Sequence, residues 1–68
     1  MEKIKIDTDF IKLDSFLKWA AIASMGSEAK FLIKEGMIKV NSEVETRRGK
    51  KLYKGDKVEF DNKIYIIE

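Results

Sequence analysis

Ser27-Glu28-Ala29-Lys30-Phe31-Leu32-Ile33-Lys34-Glu35-Gly36-Met37-Ile38-Lys39-Val40-Asn41 changes its hydrophobic period in mid-run. Up to Glu35 the apolar residues Ala29, Leu32 and Ile33 recur at helical spacing and share one face. Gly36 then offers the residue that most readily takes the left-handed conformation ending a helix. From Met37 the period is two: Ile38 and Val40 point one way and Lys39 the other, as in a half-buried strand. A helix followed directly by a strand, marked by that change of period, points to an α+β fold.

Working upstream, Leu13, Phe16, Leu17 and Ala20 stand at i, i+3, i+4 and i+7, which predicts a first helix from Leu13 to Ala21. The second helix is expected from Ser27 to Glu35, with Ser24, Gly26 and Ser27 all open as its N-cap. So short a connection predicts a compact helix pair. Lys3-Ile4-Lys5-Ile6 alternates as an N-terminal strand, and Phe10-Ile11 is expected to enter the core before the first helix. Downstream, Asn41-Ser42 reads as a turn into Glu43-Val44-Glu45, and Tyr53-Lys54-Gly55-Asp56 as a second turn. Lys57 to Phe60 and Ile64 to Ile67 read as strands joined at Asp61-Asn62. The expectation is α+β: two packed helices on a small, twisted, mostly antiparallel sheet, with residues 1–68 as one domain.

Composition narrows the function classes. The chain has 68 residues with no Cys and no His, which removes disulfides, soft metal sites and the common nucleophile–base pairs. Gly26, Gly36, Gly49 and Gly55 are scattered singly, so no glycine-rich phosphate loop is present. Asp7 and Asp9 read as a solvated pair. No apolar run approaches the ~20 residues of a membrane span, and Met1 to Ile6 does not build a signal-peptide core. No enzyme activity, metal, cofactor, small-molecule substrate or membrane partner is expected, and the setting is expected to be cytoplasmic.

Charge points elsewhere. The two arginines, Arg47 and Arg48, stand side by side in a chain whose other twelve basic residues are lysines. Their planar forks suit phosphate and base faces better than an ammonium does. Glu45 to Lys57 holds six basic and two acidic residues, a net of +4, so the remaining 55 residues sum to −2 in a chain of net +2. One basic block on a mildly acidic body is the footprint of an anionic-polymer site. Ser27, Lys30 and Lys34 share the helix face away from Ala29 and Leu32, beside backbone amides suited to a phosphate. The plain alternatives are a solvated lysine face and a mobile basic loop around Gly49, with Glu45 orienting Arg47 or Arg48 as a rim ion pair. Trp19 and Phe31 fall off their helices' buried stripes; packing over the edge of the core and covering by the N-terminal strand are the bland expectations, base stacking the functional one.

The pattern Lys12-Leu13-Asp14-x-x-Leu17, then Glu28-Ala29-x-x-Leu32-Ile33-x-x-Gly36-x-Ile38-x-Val40-Asn41, resembles the RNA-binding domain of ribosomal protein S-four, the alpha-L motif. Gly55-Asp56-x-Val58 is similar to the turn and strand that close that domain, and the likeness covers about residues 10–60. Leu17-Lys18-Trp19 and Glu45-Thr46-Arg47-Arg48-Gly49-Lys50-Lys51 look like the stand-alone small bacterial proteins of the YaaA/YbcJ type. The resemblance implies binding to structured RNA, with ribosomal RNA in ribosome assembly as the expected target. By matching position it brings in Lys12, Lys30, Lys39 and Asn41, beside Ser27, Lys34, Arg47, Arg48, Lys50 and Lys51. Asp14 is expected to be structural, bonding backbone or an arginine. Gly26 departs from the pattern, since many members carry arginine three residues before the motif's alanine; either backbone amides approach the RNA there, or the Arg47-Arg48 loop takes over the grip. The competing reading is a protein-interaction module that docks an acidic partner through the basic loop, anchored by Phe31 and Trp19.

Overall fold

A computed structural model describes residues 1–68. In chain order the elements are β1 (Glu2–Ile4), β2 (Ile11–Lys12), α1 (Leu13–Trp19), α2 (Gly26–Lys34), β3 (Lys39–Val40), β4 (Glu43–Val44), β5 (Lys51–Leu52), β6 (Lys57–Phe60) and β7 (Lys63–Ile67). A five-stranded sheet runs β1-β7-β6-β3-β4, and β2 and β5 form a separate two-stranded ribbon. Only the β1–β7 pair is parallel; the other pairs are antiparallel. Two helices on a mostly antiparallel sheet is the architecture the periodicity predicts.

The helices bury the stripes read from spacing. Leu13, Phe16 and Leu17 of α1 and Ala29 and Ile33 of α2 are almost wholly excluded from solvent, together with Ile38, Leu52, Val58 and Ile67. Each large apolar side chain so buried contributes about 1.5–3 kcal/mol relative to exposure. Ala20 is only half-buried at the edge of this core.

Both helices end in the same way. Gly36 at φ +75° lets its own amide donate to the Ile33 carbonyl, and the Met37 amide to that of Leu32. That is a Schellman stop, and Gly36 is the residue expected to provide it. α1 closes with the same pair of bonds, from Ala21 to Lys18 and from Ile22 to Leu17. Here the left-handed residue is Ala21, at φ +59°. An L-residue in that region costs roughly 1–2 kcal/mol, which the two carbonyl bonds offset. The helix therefore stops at Trp19, two residues before the predicted end, because nothing in the local sequence announces an alanine stop.

α2 begins at Gly26 with Met25 as its N-cap, one residue earlier than predicted, and neither helix has a side-chain N-cap bond. Glu28 reaches back so that its Oε1 accepts from both the amide and the hydroxyl of Ser24. Those bonds hold the Glu28 carboxyl below its ordinary range, the backbone bond being the larger cause.

Two-residue turns set the sheet register. Asn41 and Ser42, and again Asp61 and Asn62, all have positive φ, as a primed hairpin turn requires. The first places Lys39 opposite Val44, and the second Lys57 opposite Ile66. The N-terminal strand forms as expected, but it occupies Glu2–Ile4 and runs parallel to β7; the buried Ile6 continues the ladder through its amide to the Glu68 carbonyl.

Candidate nucleic-acid interface

The basic segment Arg47–Lys50 is not a free loop. A turn closes it, with the Lys50 amide donating to the Arg47 carbonyl over 3.2 Å. Its carbonyls then serve as the missing N-cap of α1: Leu13 donates to the Lys50 carbonyl at 2.9 Å, and Asp14 to that of Arg48 at 3.1 Å. The first-turn donors of a helix have no partners within it, so these bonds tie the segment to the helix start. Asp14 also accepts from the Ser15 amide at 2.8 Å, a bond to backbone and not to an arginine.

Anchored there, the segment faces α2. Lys30 and Lys34, one turn apart, line a shallow groove of about 320 Å³ with Ile33, Thr46 and Arg48. Three cations meet across it and no carboxylate lines it. Neither Lys30 nor Lys34 is salt-bridged, since the single ion pair in the molecule joins Arg47 and Glu45.

That pair separates the two arginines. Arg47 donates from Nε to Glu45 Oε2 at 2.9 Å, from Nη2 to Oε1 at 3.1 Å, and from its own amide to Oε2 at 3.0 Å. The side-chain bonds to Arg47 are the main cause that lowers the Glu45 carboxyl to about 2, with Lys50 adding a smaller charge effect. Arg47 still leaves 72% of its side chain in solvent, whereas Glu45 leaves 13%. Arg48 has no side-chain partner and is the free fork of the two.

The remaining predicted residues divide by location. Lys12 and Lys51 stand opposite one another on the β2–β5 ribbon. Lys50 is half-buried at its junction with the turn. Ser27 is exposed on α2 but does not line the groove. Lys39 lies in a different groove with Glu59 and Asp61, so its charge is opposed locally. Asn41 uses its carboxamide inside the fold: Oδ1 accepts from the Lys57 amide at 3.0 Å, and Nδ2 donates to Asp56 Oδ1 at 3.2 Å. The structure thus gathers Lys30, Lys34 and Arg48, sets Lys12 and Lys51 beside each other, and keeps Lys39 and Asn41 apart from both groups. Thr46 and Ile33 complete the groove wall and were not foreseen; neither carries a sequence signal for such a role.

The off-stripe aromatics also resolve. Trp19 donates its indole N–H to the Lys5 carbonyl at 3.0 Å, which pins the ring over the segment leaving β1 while 60% of the residue stays exposed. Phe31 is 58% exposed, and the expected cover is absent because β1 pairs with β7 across the sheet. No carbon atom added at Gly26 would meet anything within 4 Å, so the start of α2 is open to approach.

Fold and surface together define a class: a two-helix α+β domain presenting a cationic groove between its second helix and a tethered basic turn. The S4 domain family model matches residues 4–68, and the chain belongs to that family. It is 47% identical over 58 residues, 85% of this chain and 82% of the relative, to the probable ribosome maturation protein RlbA of Bacillus subtilis (strain 168). It also resembles the solution structure of YbcJ from E. coli, described as revealing an alpha-L motif involved in RNA binding. That likeness has a TM-score of 0.73 and 29% identity, and covers 98% of this chain and 86% of the other.

Proposed function

We propose that this protein is a non-catalytic RNA-binding module that recognises structured RNA, in particular ribosomal RNA, and serves ribosome assembly in the bacterial cytoplasm. The observation that carries this reading is the groove in which Lys30 and Lys34 of α2 meet Arg48 with no carboxylate among them. Three unneutralised cations, two on a helix and one on a turn tethered to α1, suit consecutive phosphates, and Arg48 brings the bidentate fork. The family supports it, as do a relative named for ribosome maturation and a structural neighbour described as RNA-binding. Residues 1–68 act as one unit in this reading. Lys12, Lys50 and Lys51 extend the contact along the ribbon, Arg47 adds its outward N–H groups, and Ser27 borders the open amides of α2. Lys39 and Asn41 contribute least, the first opposed by Glu59 and Asp61 and the second occupied within the fold.

The test is titration of a folded ribosomal RNA fragment at several salt concentrations. With about five phosphate contacts, log K falls against log salt with a slope of about −3.5 to −4.5. Replacing Lys30, Lys34 and Arg48 together by alanine is expected to flatten that slope by about 2–3, while Lys63→Ala, in a separate groove, leaves it nearly intact. Unchanged affinity and slope in the triple variant would refute the groove as the binding surface.

The exposed ring of Phe31 favours a second reading, docking of an acidic protein. A complex that survives ribonuclease and is lost in Phe31→Ser would select it.

A further inference from the structure

The two-stranded ribbon has a composition of its own. Ile11 and Leu52 are paired and turn inward, Leu52 fully buried and Ile11 packed against the core. Alternation along a strand sends their neighbours to the opposite face, where Lys12, Lys51 and Tyr53 are exposed and Phe10 is half-buried. Lys12 and Lys51 are partners in the register, and the rings of Phe10 and Tyr53 lie just beyond, with centroids 6.1 Å apart and planes tilted by 49°. The Lys51 ammonium sits 4.8 Å from the centre of the Phe10 ring. Neither ring belongs to the buried core; Phe10 is half-buried beside the tyrosine and Tyr53 is 51% exposed. Both positions are nonetheless held: the Thr8 hydroxyl donates to the Phe10 carbonyl at 2.8 Å, and the Tyr53 amide to Asp56 Oδ2 at 2.8 Å.

We propose that this face is a stacking platform for an unpaired nucleotide of the bound RNA, resting on the RNA-binding reading above. Tyr53 takes the base on its open face, Phe10 backs the tyrosine ring, and Lys12 and Lys51 meet the flanking phosphates. Two aromatic rings beside two lysines match the two halves of a nucleotide, the rings its base and the ammonium groups its phosphates. The platform is continuous with the groove, since β5 follows directly on the Arg47–Lys50 turn. From Arg48 to Tyr53 the chain spans at most about 18 Å. The protein would then read a junction, holding a phosphate backbone in the groove and a splayed base on the ribbon.

The experiment uses a ribosomal RNA hairpin with a short single-stranded extension, carrying either 2-aminopurine or an abasic residue at the same unpaired position. The two RNAs have equal charge. The wild-type chain is expected to bind the 2-aminopurine RNA about tenfold more tightly and to quench its emission. Tyr53→Phe keeps both effects. Tyr53→Ala loses the preference and the quenching, yet binds the abasic RNA with the wild-type salt slope and retains the wild-type circular dichroism. If Tyr53→Ala leaves the preference and quenching intact, or weakens both RNAs equally, the platform is overturned while the groove stands. If the wild-type chain binds neither RNA, the RNA-binding reading fails and the platform with it.

Discussion

Arg47 and Arg48 are neighbours with different duties, and only their surroundings separate them. Arg47 is gripped at three donors by Glu45, while Arg48 projects beside Lys30 and Lys34. In the sequence the two are one doublet, and Glu45 sits two residues from the first and three from the second, so either pairing was open. The pairing has a measurable consequence. The Glu45 carboxyl lies at about 2 against an ordinary 4.5, chiefly through its bonds to Arg47. A depressed folded value stabilises the fold above the ordinary one, and that contribution is lost as pH falls from about 4.5 towards 2. Arg47→Ala is therefore expected to return the Glu45 midpoint to near the ordinary carboxylate value, read from the side-chain carboxyl carbon shift against pH. A midpoint that stays near 2 in the variant would show that Arg47 is not the cause.

At the scale of elements, the two helices start under opposite conditions. The first-turn amides of Leu13 and Asp14 are taken by carbonyls of the basic turn, whereas α2 opens at Gly26 with no side-chain cap. Amide exchange followed by NMR should show Leu13 and Asp14 protected well beyond Gly26 and Ser27 in the free protein. RNA that approaches the α2 start is expected to slow Gly26 and Ser27; equal exchange at both helix starts would contradict the capping described. Much at this scale was legible. Gly36, Asn41-Ser42 and Asp61-Asn62 stand at positions where the backbone needs a left-handed residue, and such residues announce themselves. The Ala21 stop and the β2–β5 ribbon did not. Alanine has no preference for its conformation there, and two-residue strands are too short to show a period. Phe10-Ile11-Lys12 and Lys51-Leu52-Tyr53 read as a ribbon only once the two segments are paired.

For the whole molecule, the basic block is a matter of placement more than of amount. The net charge is only +2, so binding to a polyanion depends on which cations share a surface. Gly26 tests this. Its side-chain direction is open, and arginine at that position would restore what the family pattern usually carries. Gly26→Arg is expected to tighten RNA binding and to steepen the salt slope by about 0.7–0.9, as one added phosphate contact would, measured by fluorescence anisotropy across a salt series. An unchanged slope would mean that the start of α2 lies outside the bound surface. By itself the sequence determined the fold class, the helix stripes, the turns and the family, because each follows from residues close together in the chain: a hydrophobic period, a glycine stop, a turn pair, a spaced motif. Only the tertiary structure decided which cations act together. Lys30 and Arg48 lie eighteen positions apart, and whether they share a groove depends on where two carbonyls of the basic turn meet the amides of α1. That meeting is set by packing across the whole core, and no local pattern encodes it.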